Sequence, residues 1–559
     1  MKNATPLVSA IALAASVLAL DATALAPQAM AAGDEVRPLT LWARTQSANP
    51  QAYQAAQLIA QSWRELGIEV DVRGIPRPQQ SDLVWYNRDK WDVTMWQMVG
   101  RPERSDPDEF VYNLFHSSTA PTGYNFVGYI NPEYDAIAEQ QRRTTDPEAR
   151  RELIFKAQQI IDDEQVYAFL VYPAKVFAFD NTVFADDSVV EQPGLGIKNI
   201  WTYLNAEPLT DQRDMILNST DEMNAINPFY ISGATDSWVT ELIWDRLMRI
   251  GPDGLPRPWA AESVNWNDDT TLDVTLREGM TWHDGQPVTS ADVIFSFEAP
   301  SRGDLVPMYK PFVANIESME ALDELTVRFT LTEPSAAFFT SSLAKLNLAP
   351  EHVWAPLMAS IEGGGDNAES ILEESRIGSG PFRFARWNFQ EEVVLEANAD
   401  HWAAPNIDRW IIRIVPNVEA GLGMLRRGEI NFMSDYTGDP EVLLDVAAED
   451  GDLSVIDSID IGFQYLAFNH RRAPFDDPFL RRALSLAIDR NLMVAAAWNG
   501  FAVAANSHVS PALSYWHNDA TDSMETGVEV AKALLAEGGY EVIDGRLHYP
   551  DGVTEQFAE

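Results

Sequence analysis

The segment Arg277-Glu278-Gly279-Met280-Thr281-Trp282-His283-Asp284-Gly285-Gln286-Pro287-Val288-Thr289-Ser290-Ala291-Asp292-Val293 is the most informative stretch of this chain. Just before it, Leu272-Asp273-Val274-Thr275-Leu276 alternates apolar and polar residues, the period-two pattern of a half-buried strand. His283-Asp284-Gly285 within it is a short turn that joins strands. Further out, Glu324-Leu325-Thr326-Val327-Arg328-Phe329-Thr330-Leu331 alternates as strictly and predicts another strand. Asp146-Pro147-Glu148 caps a helix whose apolar face is Leu153, Ile154, Ala157, Ile160 and Ile161. Asp477-Pro478 opens a second, with Leu480, Ala483, Leu484, Ala487 and Ile488 on one side. A third, Ala531 to Glu537, is stopped by Gly538-Gly539, and Gly251-Pro252-Asp253-Gly254 makes a strand turn. Helical and strand patterns alternate throughout, with no fixed-period repeat and no low-complexity linker. The expected fold class is α/β, built as packed lobes.

The chain has 559 residues, 46% hydrophobic and 22% charged. A single core stops growing near about 250–300 residues, so more than one lobe is expected. Acidic residues number 84 against 40 basic ones, a formal charge of −44. That charge repels nucleic acid and anionic membrane surfaces, so neither is expected as a partner. Only eight of the basic residues are Lys. An acidic, Lys-poor surface suits high salt, which screens self-repulsion. The melting temperature is therefore expected to rise as the Debye length falls from about 10 Å at 0.1 M salt to about 3 Å at 1 M. A melting temperature flat across that range would contradict salt adaptation.

Cysteine is absent, which excludes disulfides, thiolate metal ligands, a thiol nucleophile and a lipidated N-terminal Cys. Lys2, the apolar stretch Leu7 to Leu20 and Ala29-Met30-Ala31 read as a cleavable export signal over residues 1–31. Asp21 interrupts the apolar segment before it reaches spanning length. The expected location is periplasmic, with no lipid anchor.

Catalytic motifs do not stand out. There is no H-E-x-x-H, G-x-S-x-G, P-loop, Rossmann glycine triplet or EF-hand loop. The eight His residues are scattered, and His283 and His352 read as structural or surface groups rather than ligands, so no metal or cofactor is expected. Carboxylate pairs carry no glycosidase signal in so acidic a chain. The 17 Trp, 16 Tyr and 25 Phe exceed what a core requires and fit an amphipathic ligand cleft. On these grounds an exported hydrolase using aromatic platforms, or a scaffold without a ligand, stays open beside a binding protein.

A resemblance separates these readings. The 277–293 segment closely resembles the signature of family 5 extracellular solute-binding proteins, the dipeptide, oligopeptide, glutathione and nickel receptors of ABC importers. Further similar motifs follow in family order: Gly378-Ser379-Gly380-Pro381-Phe382, Ala397-Asn398-Ala399-Asp400-His401-Trp402, Arg427-Gly428-Glu429-Ile430-Asn431, Phe468-Asn469-His470-Arg471-Arg472-Ala473-Pro474-Phe475-Asp476-Asp477, and Leu534-Leu535-Ala536-Glu537-Gly538-Gly539-Tyr540. The segments that close the family's usual order stand first here: Leu39-Thr40-Leu41-Trp42-Ala43, Leu66-Gly67-Ile68-Glu69-Val70, Trp91-Asp92-Val93-Thr94-Met95-Trp96, Ser105-Asp106-Pro107-Asp108 and Asn131-Pro132-Glu133-Tyr134-Asp135. Its usual start resembles Met215 to Phe229. The order implies a circular permutation, tolerated where the break falls in a polar surface turn; a gene-fusion remnant is the alternative.

The resemblance implies a two-lobed binding-protein fold of the large, three-subdomain type, closing by a hinge over a ligand between the lobes. Lobe II is expected at 36–166 and 467–559, and lobe I at 167–466. Val36 is expected near Glu559, and Leu39–Ala43 beside elements of the 530–550 region. The implied partners are a small-molecule or peptide-like ligand and an ABC permease in the membrane, the receptor itself being a monomer. Ligand-site residues carried over by position are Trp96, Gln97, Met98, Arg101, Tyr230, Asp435, Tyr436, Phe463 and Tyr465. In dipeptide and oligopeptide receptors an Asp pairs with the ligand ammonium; counted from Trp91-Asp92-Val93, that position is Arg101. A guanidinium would repel an ammonium and favour a carboxylate or phosphate instead. The plainer alternative is that Arg101 pairs with Glu103 or Asp106 at the cleft rim.

Overall fold

The computed structural model describes residues 33–553 apart from 224, 230–233, 303–308, 363–374, 435 and 524. The alternating segments form strands with their apolar positions inward. Thr271–Leu276 buries Leu272, Val274 and Leu276, and Thr326–Leu331 buries Val327, Phe329 and Leu331. They are the inner pair of a four-stranded antiparallel sheet, flanked by Ala261–Trp266 and Ile316–Ala321. Gly285 has φ +87°, a left-handed conformation cheap only for glycine, which lets the 282–286 turn close. Thr289 and Asp292 then form a capping box that starts the helix Ser290–Glu298.

A twelve-stranded sheet forms the spine of the molecule. β1 (Leu39–Arg44), β2 (Val70–Ile75) and β3 (Val93–Met98) are parallel, with β1 in the middle. β4 (Tyr167–Asp180) runs through both halves of the sheet. Its first residues pair with Phe463–Phe468, which also pairs with β3; its later residues pair with Leu453–Ile459 and Phe432–Met433. Strand partners thus change near Pro173 on β4 and between Ile459 and Phe463. A strand continuous through both halves gives no local sign of where its neighbours change.

The sheet half holding β1–β3 is covered on both faces. Helix α1 (Pro50–Glu65) buries Ala52, Ala55, Ala56, Ile59, Ala60 and Trp63 against one face, joined by Pro478–Leu486, Arg490–Ala497 and Val528–Glu537. Burying each large apolar side chain contributes about 1.5–3 kcal/mol. The short helix α2 (Arg77–Tyr86) follows β2. Helices α3 (Pro132–Arg143) and α4 (Pro147–Glu164) cover the other face, where an aromatic cluster includes Trp91, Trp96, Phe110, Tyr134, Phe463 and Tyr465. Asp146 and Asp477 cap their helices as their sequence positions lead one to expect, accepting from the backbone of Ala149 and Phe479. The other half has its own core, reaching from the four-stranded sheet to Phe179 and Phe432.

The first and last described residues lie side by side. Asp34 N donates to Val553 O at 3.0 Å, Val36 N to Leu547 O at 2.8 Å and Tyr549 N to Asp34 O at 2.9 Å. Glu559 lies outside the described residues. β1 itself pairs with β2 and β3, not with a strand of the 530–550 region; the hairpin of Glu541–Ile543 and Arg546–His548 meets the start of the chain at Glu35 and Val36.

Candidate ligand-binding cleft

Open parallel sheets bind ligands beyond the carboxyl ends of their strands. Here those ends are Arg44, Ile75 and Met98 on β1, β2 and β3. Met98 pairs with Phe463, so the three ends lie on the side where the chain passes between the two sheet halves. That passage is tightly built. Lys175 forms an ion pair with Asp460 at 3.0 Å, and Asp460 Oδ1 accepts from Gly462 N at 2.9 Å. A Cβ on Gly462 would run into the Met98 carbonyl oxygen and the Gly100 nitrogen. Gly462→Ala is therefore expected to lower stability by about 1–3 kcal/mol, the usual cost of overpacking; denaturant unfolding checks this, and an unchanged midpoint would contradict the close approach.

Trp96 is 7% exposed, its ring centroid 5.8 Å from Phe126 and 6.1 Å from Trp85. The Arg77 guanidinium lies 4.1 Å from the Trp96 centroid. Burial, then the nearby Arg44, hold the Arg77 pKa below the usual arginine value. Met98 is buried beside Trp96, and half-buried Gln97 accepts from Gln464 Nε2 at 3.0 Å across the strand pair. Arg101 is exposed, at the entrance of a short turn formed by Pro102–Ser105. Asp106 is not its partner: Arg150 holds both Asp106 carboxylate oxygens, at 2.6 and 2.8 Å.

Phe463 and Tyr465 are buried in the aromatic cluster on this face of the sheet. Each is 1% exposed; Tyr465 stacks on Tyr167 at 4.4 Å, and Phe463 packs edge-on against Phe169 and Phe110. Desolvation pushes the Tyr465 hydroxyl well above the usual tyrosine range. Tyr436, in the other sheet half, is partly buried and donates to Asp439 O at 2.8 Å. Tyr230 and Asp435 lie outside the described residues. Sequence reasoning did not single out Arg44, which ends β1, or Arg77, which opens the helix after β2, although both stand at these strand ends.

His283 is a structural group, as expected from its turn. Its Nε2 donates to Gly380 O at 3.0 Å and its Nδ1 accepts from Gly378 N at 3.2 Å, tying the 282–286 turn to the Gly378-Ser379-Gly380 segment. Desolvation lowers its pKa to about 4. Among the described residues, His517, Asp519 and Asp522 bring ligand-type atoms within 4.8 Å of one another. His517 already bonds Val509 O and Asp522, so that group is accounted for as a hydrogen-bonded imidazole.

Residues 22–122 and 256–557 match the family described as bacterial extracellular solute-binding proteins, family 5 Middle. The oligopeptide-binding protein AppA of Bacillus subtilis (strain 168) is 24% identical over 347 residues, covering 61% of this chain and 61% of AppA. The glutathione-binding protein GsiB of Salmonella typhi is 25% identical over 346 residues, covering 60% of this chain and 63% of GsiB. The matches thus span less than two thirds of these relatives' length. Among solved structures, AppA of Bacillus subtilis in complex with a nonapeptide aligns with a TM-score of 0.42 at 24% identity, covering 59% of this chain and 65% of that one. The family match extends over most of the residues, and the chain belongs to the family 5 bacterial extracellular solute-binding proteins.

Proposed function

We propose that this chain is the periplasmic receptor of an ABC importer, capturing a peptide-like or other small polar solute between two lobes and delivering it to a membrane permease. No covalent step is involved. The observation that carries this reading is the pair of neighbouring passages, β4 at Pro173 and the 459–463 segment, that join the two halves of one sheet beside open strand ends. Two such passages suit rigid-body closure over a ligand, because a few residues absorb the rotation while each core stays packed. AppA is an oligopeptide-binding protein and GsiB a glutathione-binding protein, which favours a peptide-like solute here. The chain order is that of a permuted family member, with lobe II formed by 36–166 and 467–559 and lobe I by 167–466. The pairing of residues 33–36 with 547–553 supports this, since a permuted chain has its ends together.

Small-angle scattering of the full chain, with and without di- to pentapeptides, tests the receptor reading. A smaller radius of gyration on saturation is expected, and no change with any peptide would contradict it. Arg101 stands at the position where dipeptide receptors carry an ammonium-binding Asp, so acidic or acylated peptides are expected to bind more tightly than simple dipeptides. Tight dipeptide binding unaffected by Arg101→Ala would overturn that assignment.

A further inference from the structure

We infer that the turn Gly251–Leu255 and the segment 333–343 of lobe I clasp lobe II, so that contacts the protein makes with itself set how readily the lobes part and how long a solute is retained; this rests on the receptor reading above. The chain passes between the two halves of the sheet near Pro173 and between Ile459 and Phe463. Those passages are covalent and persist through any rotation. Three further contacts between the halves are made by loops, which a rotation can separate.

The first contact is apolar. The turn closes on itself, with Gly251 N donating to Leu255 O at 2.8 Å and Gly254 N to Gly251 O at 2.9 Å. Ile250, just before it, packs on the core of its own half, whereas Leu255 packs on the aromatic cluster beneath α3 and α4 in the other half. A Cβ on Gly254 would stand 3.0 Å from Leu513 Cδ2, so the turn lies directly against Leu513, which is 1% exposed. Leu513 belongs firmly to lobe II, since nearby Trp516 O accepts from Gln158 Nε2 of α4 at 2.7 Å. Parting the lobes here returns Leu255 and Leu513 to water, which the hydrophobic effect opposes.

The second contact is a hydrogen bond, Ala336 N donating to Arg142 O at 2.7 Å. Arg142 lies in the last turn of α3, where carbonyls have no partner within the helix, so lobe I caps a helix of lobe II. Each side is anchored in its own lobe: Asp108 holds the Arg142 guanidinium, and Phe338 is buried in the lobe I core. In the third contact Phe339–Leu343 lies against Pro102–Ser105, the turn that follows the end of β3. That strand end is on the ligand side of the sheet, so the clasp stands at the rim that opens. All three contacts are made between residues of this chain alone.

The chain has no Cys, so Tyr86→Cys on α2 and Glu441→Cys on the helix Pro440–Asp450 place one spin label in each lobe. Double electron–electron resonance on the full chain without peptide should show one main distance, that of the clasped lobes. Leu255→Ala and Ala336→Pro should each shift the ratio of clasped to open chains about tenfold toward a second distance, and the two together further still. Circular dichroism of each variant confirms that it is folded; Leu255 is half-buried in a surface turn, so its truncation leaves both cores intact. Adding di- to pentapeptides should draw the variants back to the first distance. A distribution unchanged in Leu255→Ala and in the double variant would overturn the clasp, while binding of a peptide to the unaltered chain would still uphold the receptor reading. Variants that shift, with no peptide restoring the first distance, would uphold the clasp and overturn the receptor reading.

Discussion

Replacing Arg150 by Met will lower the unfolding free energy by about 3–5 kcal/mol, the cost of stranding one partner of a buried ion pair. Arg150, on α4, and Asp106 have side chains only 5% and 9% exposed. Both Asp106 oxygens are held by the guanidinium, and Gln141 Oε1 accepts from Nε and Nη2 of Arg150 at 3.1 Å each. The same loop is clamped a second time, where Asp108 accepts from Arg142 and Gln141. Removing the guanidinium leaves a carboxylate in a site closed to water. The double variant Arg150→Met with Asp106→Leu should recover a good part of the loss, because neither charge then remains buried. Urea unfolding of the three proteins decides the matter. A single-variant loss under about 1 kcal/mol would mean that water reaches Asp106, as at a surface pair.

Mild acid will destabilise the protein between pH 6.5 and about 4, through imidazoles that the fold keeps neutral. His508 is fully buried with neither ring nitrogen hydrogen-bonded, and desolvation lowers its pKa to about 3. His283 is lowered to about 4, and burial also puts His470 well below the ordinary histidine value. An unfolded histidine titrates near 6.5. Above that pH neither state binds the proton and these groups contribute nothing to the pH dependence. Below it the unfolded chain takes up protons that the folded chain refuses, so stability falls with pH toward the folded pKa values. At about 1.4 kcal/mol per unit, each group costs on the order of 2–3 kcal/mol by pH 4.5. Asp162 acts the other way: burial and then Asp163 raise its pKa to about 6, so the folded state binds that proton first and gains as pH falls. Three groups oppose one. Unfolding midpoints that hold steady from pH 6.5 to 4.5 would contradict this account.

Local pattern revealed much of the architecture and little of the site. The alternation at 272–276 and 326–331 and the Asp-Pro helix starts at 146 and 477 are local signals, and the structure follows them because strand period and N-cap chemistry need no distant partner. The His283 contact with Gly378 and Gly380 spans about a hundred residues, so no short window contains it. Phe463 and Tyr465 illustrate the limit at the cleft. Phe463–Phe468 is buried along nearly its whole length, and an aromatic in such a strand looks the same whether it faces a ligand or a neighbouring ring. Arg44 and Arg77 were illegible for a different reason: that both stand at the sheet ends shows only once the strands are assembled.

The central claim, that this chain binds a solute without transforming it, is tested most directly by native mass spectrometry of the full chain mixed with a panel of short peptides. The account predicts one peptide per chain, released on denaturation with its mass unchanged. Cleaved or otherwise altered peptide masses, or a bare chain at every peptide concentration, would contradict it.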